Sequence, residues 1–80
     1  MALTNLERYD REFIRTFKVK KEELADMKYE ISKVWDSVSH MDLMAGLEDV
    51  FDVNLDTIDI LRFTDYHKGK EILEKYGVVF

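Results

Sequence analysis

The sequence of 80 residues contains no cysteine and no proline, and it has only three glycines. Without cysteine there is neither a disulfide framework nor a thiolate metal site, and a reducing compartment is allowed. The longest apolar run, Leu43 to Leu47, is far too short to span a membrane. The first residues also lack the basic segment and apolar run of a signal peptide. We therefore expect a soluble, cytoplasmic protein without membrane insertion.

Nothing in the sequence marks a domain boundary, because proline, internal repeats and low-complexity segments are all absent. A chain of this length forms one domain and buries roughly 60–65% of the surface that its unfolded form exposes. The apolar fraction of 46% is ordinary for a globular protein. The sequence therefore predicts a single domain over residues 1–80.

Basic residues are missing from one long segment. Between Asp36 and Leu61 there are seven acids and no lysine or arginine, although the net charge of the whole chain is only −5. This balance argues against nucleic acid as a partner. The acidic segment indicates a basic partner that docks there, while a merely solvated helix face remains the alternative.

The spacing of apolar residues predicts an all-α fold. Thr4 and Glu7 have the spacing of a capping box, and the apolar positions behind them predict an amphipathic helix over 5–17. Residues 18–33 are less regular, so we expect a long ordered loop with one helical turn near 22–25.

A second helix is predicted from Asp36 or Ser37, both good N-cap residues, to about Phe51. Two more helices follow, a short one over 56–62 and a last one from about 64 to Gly77, a natural helix-ending residue. The expected architecture is thus a small four-helix bundle, with three main helices, one short helix and a long first loop.

Two details of the last helix also follow from the sequence. Gly69 lies inside it and costs about 1 kcal/mol relative to alanine, so the first turn is expected to fray. Glu71 and Lys75 have the spacing of an ion pair on the helix surface.

A helical wheel of the second helix separates two faces. The predicted buried face consists of Leu43, Met44, Leu47, Val50 and Phe51, with Met41 at its edge. The opposite face carries Val38, Asp42, Ala45 and Asp49 in one row, with Glu48 on its flank. Small apolar side chains framed by carboxylates are typical of a docking surface with a polar rim.

The sequence gives little support for a catalytic site or a metal site. Asp36, Ser37 and His40 have the residue types of a catalytic triad, but they lie within one helical turn, and we expect His40 to be a packed, partly buried side chain. Asp52, Asn54 and Asp56 match the start of a calcium loop, which then lacks its glycine and its bidentate glutamate. We predict no catalytic residue and no metal site.

The string from Trp35 to Met41, WDSVSHM, resembles the attachment motif of the acyl carrier protein family. It is similar to the WDSLxHM form of stand-alone carriers outside primary fatty-acid synthesis. Leu43, Leu47, Glu48 and Phe51 continue the pattern that this family shows after its serine. The similarity is best from Val34 to Tyr76.

This resemblance implies a non-catalytic carrier with the four-helix bundle of that family. Ser37 would receive a phosphopantetheine arm from coenzyme A through a pantetheinyl transferase, with Asp36 as the preceding residue that the motif requires. The arm would carry acyl groups as thioesters. The residues that match the family's partner-recognition helix are Val38, Asp42, Ala45, Glu48 and Asp49.

The expected partners are the transferase and acyl-loading, acyl-transferring or condensing enzymes with basic docking patches, and we expect the carrier to be a monomer. Val38, Ser39 and Val50 depart from the common pattern, which favours a specialised polyketide, lipid or cell-envelope pathway. An acyl chain could be sheltered by five apolar residues, whose alternative role is an ordinary core: Met41, Met44, Leu47, Ile58 and Leu61. The alternative function is an unmodified helical interaction module in which Ser37 only caps its helix.

Overall fold

The computed structural model describes residues 2–80, which form four α-helices and one 3₁₀ helix. The elements in chain order are α1 (Asn5–Phe17), the 3₁₀ helix (Lys21–Asp26), α2 (Ser37–Phe51), α3 (Thr57–Arg62) and α4 (Tyr66–Lys75). Within residues 2–80 there is no β-strand, and a single isolated antiparallel bridge joins Lys28 to Asp65. The predicted all-α bundle with a long first connection is confirmed, and the expected helical turn in that connection is the 3₁₀ helix.

Helix α1 has the predicted bounds because both of its ends are fixed locally. The Thr4 hydroxyl accepts a hydrogen bond from the Glu7 amide at 3.1 Å, and the Glu7 carboxylate accepts one from the Thr4 amide at 3.0 Å. These bonds from the Thr4 backbone and side chain lower the pKa of Glu7. The helix ends where Lys18 adopts a left-handed conformation with φ of 58°.

The core is built around aromatic rings that α1 directs inward. The ring of Phe13 lies 5.5 Å from that of Trp35, and the ring of Phe17 lies 5.1 Å from it. Trp35 itself is completely buried although it belongs to the loop before α2. Aromatic side chains of this size bury a large apolar area, so Trp35 anchors the end of the loop to the core. Buried residues from the rest of the chain extend this core, among them Leu43, Met44, Leu47, Phe63, Ile72 and Leu73.

Helix α4 begins at Tyr66, slightly later than predicted, because Asp65 is its N-cap. The Asp65 carboxylate accepts a hydrogen bond from the Lys68 amide at 2.7 Å. Gly69 is buried in the first turns of this helix, where a Cβ atom would overlap the ring of Phe63 and the hydroxyl of Tyr9. The expected fraying is therefore replaced by close packing that only glycine allows.

Lys75 forms its ion pair with a residue other than Glu71, its predicted partner. Its ammonium group instead binds the buried carboxylate of Asp59 at 2.8 Å and so ties α4 to α3. A partly buried partner from another helix competes successfully with an exposed neighbour on the same helix, because solvent screens the exposed pair more strongly.

The long loop is fastened to the connection between α3 and α4. The Tyr29 amide donates to the Thr64 carbonyl at 2.8 Å, and the Tyr66 amide donates to the Met27 carbonyl at 3.3 Å. These bonds explain why a segment without regular periodicity is ordered. None of the helices described in residues 2–80 is both long enough and apolar enough to cross a membrane.

Candidate functional site at the start of helix α2

Asp36, and not Ser37, caps helix α2. One oxygen of the Asp36 carboxylate accepts hydrogen bonds from the amides of Val38 at 3.1 Å and Ser39 at 3.0 Å. In return, the Ser39 hydroxyl accepts a hydrogen bond from the Asp36 amide at 2.9 Å, which completes a capping box. The Ser39 amide and hydroxyl, and then the Val38 amide, hold the pKa of Asp36 below its ordinary value of 3.8. The sequence alone allows either Asp36 or Ser37 as the N-cap, and the structure assigns the cap to Asp36.

Ser37 is the first residue of the helix and is exposed to solvent. Its hydroxyl takes part in no hydrogen bond among the residues that the structure describes. Ser37 is therefore not the helix cap, because its neighbour Asp36 performs that task. Ser37 is left as a solvent-exposed hydroxyl at the tip of the helix.

A polar groove of about 450 Å³ adjoins this serine. The groove is lined by loop residues before α2, including Tyr29, Ser32 and Lys33, and by Asp36 and Ser37 at the helix start. Sequence reasoning did not find it, because the loop has no periodic pattern from which its path could be predicted. The groove nevertheless places a lysine and two side-chain hydroxyls beside the Ser37 position.

His40 is buried and both of its ring nitrogens are engaged. The indole N–H of Trp35 donates to Nδ1 at 2.9 Å, so Nδ1 is the unprotonated nitrogen and Nε2 carries the hydrogen. Nε2 then donates to the Ile60 carbonyl at 2.7 Å. The predicted packed histidine is confirmed. His40 and Ser37 form no hydrogen bond in the described chain, and the triad arrangement of hydrolases is not assembled.

The predicted outer row of α2 is exposed along its whole length: Val38, Asp42, Ala45 and Asp49. Val38 is strongly exposed, with 79% of its surface accessible. Asp42 lies 3.6 Å from a guanidinium nitrogen of Arg15 on α1, so one acid of the row has a basic neighbour within the fold. Such an exposed pair contributes little to stability, and the row remains open to solvent.

Glu48 differs from the rest of the predicted recognition surface. It is only partly exposed, and its carboxylate accepts a hydrogen bond from the Leu55 amide at 2.8 Å. That bond fastens the turn between α2 and α3, just after Asp52 has left the helix with φ of 53°. Glu48 is therefore a structural residue of this turn in addition to being a neighbour of the acidic row.

The five residues predicted to shelter an acyl chain differ in burial. Met44 and Leu47 are buried in the core, whereas Met41, Ile58 and Leu61 are 54%, 67% and 72% exposed. The linings of four cavities on the described part of the chain contain none of these five residues. The proposed internal pocket is therefore a mixture of core and surface residues.

The orientation of α3 explains why Ile58 and Leu61 are exposed. Asp59 occupies the inward position of the short helix, where its carboxylate binds the Lys75 ammonium at 2.8 Å and the Tyr76 hydroxyl at 2.5 Å. A residue one or two positions away on a helix points in another direction, so burying Asp59 turns Ile58 and Leu61 outward. Apolar composition alone could not indicate that an aspartate would take the buried place.

The described residues contain no group of three or more histidine, aspartate or glutamate side chains that could hold a metal ion. Comparison with protein-family models, with curated proteins and with solved structures found no match for this chain.

Proposed function

We propose that this chain is a non-catalytic carrier of the acyl carrier protein type, with Ser37 as the attachment point of a phosphopantetheine arm. The proposal rests on the different roles of Asp36 and Ser37 at the start of α2. Asp36 provides the cap through bonds of 3.1 and 3.0 Å to two amides, so the Ser37 hydroxyl is exposed without a structural task. A hydroxyl in that position is suited to modification by another enzyme.

The residues present fit this group. Ser37 supplies the nucleophilic oxygen, and the adjoining polar groove of about 450 Å³ has room and a basic residue, Lys33, in the same lining as Ser37. In the attachment reaction, Ser37 Oγ forms a phosphoester bond while the pyrophosphate bond of coenzyme A breaks. The adenosine bisphosphate leaves, and the serine proton passes to a base of the transferase. When bound, the arm contributes a terminal thiol that holds acyl groups as thioesters.

The outer row of α2 is the proposed docking face for basic patches on partner enzymes. Val38 and Ala45 offer small apolar contacts, while Asp42 and Asp49 offer negative charge on the same exposed face. Complementary charge chiefly raises the rate of encounter and selects partners, which suits a carrier that must bind and release enzymes in turn. The partners in this proposal are a pantetheinyl transferase and the enzymes that load, extend or transfer acyl groups.

The attachment is tested by mass measurement. The purified chain is incubated with coenzyme A and a pantetheinyl transferase of broad specificity, and we expect its mass to rise by one phosphopantetheine group. Ser37→Ala should gain nothing, and fragmentation of the labelled peptide should place the group on Ser37 and not on Ser39. An unchanged mass for the unaltered chain, or equal labelling of Ser37→Ala, would refute the proposal.

A further inference from the structure

We propose that the groove beside Ser37 is a binding site on the carrier itself for the phosphate end of the arm, with Lys33 as its cation. This inference rests on the proposed function and adds a second set of residues to it. The groove is continuous with the attachment point, because Ser37 is one of its lining residues. A group attached to Ser37 is therefore attached at the groove itself.

The groove is held in shape by the hydrogen bonds of its loop. The Glu30 amide donates to the Trp35 carbonyl at 2.9 Å, and the Trp35 amide donates to the Ser32 carbonyl at 3.0 Å. Glu30 reaches this arrangement with a left-handed φ of 64°. These bonds and the buried Trp35 already order the loop. Binding a group in the groove therefore costs little additional conformational entropy of the loop.

Charge selects the phosphate end. Lys33 is the only basic residue that lines the groove, where the other charged residues are Glu30 and Asp36. At the start of α2 the amides of Val38 and Ser39 already donate to Asp36, so these two donors are not available to the phosphate. A phosphodiester at Ser37 adds a negative charge beside Asp36 and ahead of an acidic helix, so attraction to Lys33 offsets that repulsion.

The rest of the lining matches a chain of amides and hydroxyls. The Ser32 hydroxyl accepts from the Lys28 amide at 3.1 Å, which leaves its own hydrogen to donate. The half-buried Tyr29 ring is held edge-on against Trp35 and His40, with centroid distances of 6.4 and 5.0 Å. The Tyr29 hydroxyl has no hydrogen-bond partner among residues 2–80, so a second donor is available.

The test compares amide NMR spectra of the chain before and after modification. The modified form is made with the transferase and coenzyme A, and complete modification is first checked by mass. We expect shifts at residues 29–33 as large as those at residues 37–39. Lys33→Glu should be modified to completion yet lose most of the shift at residues 29–32. The matched control is Lys28→Glu, which makes the same charge change in the same loop outside the groove lining and should keep that shift.

The two proposals fail in different ways. A chain that gains no mass overturns the proposed function and this inference with it. A fully modified chain whose shifts are confined to residues 36–41 overturns the groove alone, as does a Lys33→Glu variant whose loop shifts equal those of the unaltered chain. Circular dichroism of both lysine variants confirms that they fold, which is expected because both side chains are exposed.

Discussion

The indole N–H of Trp35 donates a hydrogen bond of 2.9 Å to Nδ1 of His40, and both residues are buried. The bond joins the last part of the long loop to the first turn of α2. Through Nε2, His40 then reaches the Ile60 carbonyl near the end of α3. One imidazole thus connects the long loop, α2 and α3.

Replacing Trp35 with phenylalanine should destabilise the fold. Loss of the indole N–H leaves Nδ1 of His40 buried without a donor, at a cost of about 1–3 kcal/mol, and the smaller ring adds a cavity. Urea unfolding measures the change. Tyr29→Phe is the matched control, because the Tyr29 hydroxyl makes no bond in residues 2–80, and its effect should stay within about 0.5 kcal/mol. Equal stability of the two variants would show that the Trp35–His40 bond contributes nothing.

The assignment of the helix cap predicts opposite outcomes for two adjacent residues. Ser37→Ala should change the free energy of unfolding by no more than about 0.5 kcal/mol, because Ser37 is exposed and does not cap. Asp36→Ala should unfold at a lower urea concentration, because the amides of Val38 and Ser39 lose their acceptor. Asp36→Asn keeps an oxygen acceptor and should lie between Asp36→Ala and the unaltered chain. A larger loss for Ser37→Ala than for Asp36→Ala would contradict the assignment.

The exposed acidic row predicts the salt dependence of modification. Asp49→Lys should slow transfer from coenzyme A several-fold at low salt, and the difference should shrink at high salt because exposed charges are screened. The control is Glu74→Lys, an equal charge reversal at an exposed position of α4. The rates are measured by mass under conditions where modification is incomplete. If both variants slow transfer equally, net charge matters and the row is not the docking face.

Asp59 predicts a loss of stability in acid. Hydrogen bonds from Lys75 and Tyr76 lower its pKa below the ordinary value of 3.8. The stabilisation from this carboxylate is therefore complete above pH 3.8 and is lost as the pH falls through the lower pKa of the folded state. Asp59→Asn should be less stable at neutral pH and should lose less further stability between about pH 5 and pH 2. Thermal unfolding across this range measures both effects, and equal pH profiles would contradict the role of Asp59.

The two helical glycines predict different costs for the same substitution. Gly69→Ala should destabilise the fold, because overpacking against Phe63 and Tyr9 costs about 1–3 kcal/mol. Gly46→Ala meets only the side-chain ends of Glu12 and Arg15, which can shift, so it should be close to neutral. Both changes gain about 1 kcal/mol of helix propensity. Comparison of their unfolding midpoints isolates the packing term, and equal midpoints would contradict the close contact at Gly69.

Local patterns account for the features that the sequence predicted well. The bounds of α1 follow from the capping box of Thr4 and Glu7 together with apolar spacing, both of which involve neighbours in the chain. A local pattern of the same kind restricts the N-cap of α2 to Asp36 or Ser37. The spacing of Asp36 and Ser39 also has the form of a capping box, and this signal could have assigned the cap before the structure.

Features set by distant partners escaped prediction. Asp59 takes an inward position because Lys75 at the end of α4 and the next residue, Tyr76, bind it, and Ile58 and Leu61 turn outward as a consequence. From the sequence alone, Gly69 predicts only a weakened helix, because its low helix propensity is the only property that the residue type indicates. The rings that require a glycine there come from α1 and from the residue after α3.

By itself the sequence determined the all-α class, the extents of α1 and α2, and the concentration of acids on the exposed face of α2. These properties depend on hydrogen bonds between near neighbours and on periodic burial, which a linear pattern records. Only the tertiary structure decided that His40 is engaged at both nitrogens and that a polar groove with Lys33 opens beside Ser37. Each of these depends on which groups the folded chain brings together and which hydrogen bonds they satisfy, and that choice is made between residues far apart in sequence or along an irregular loop.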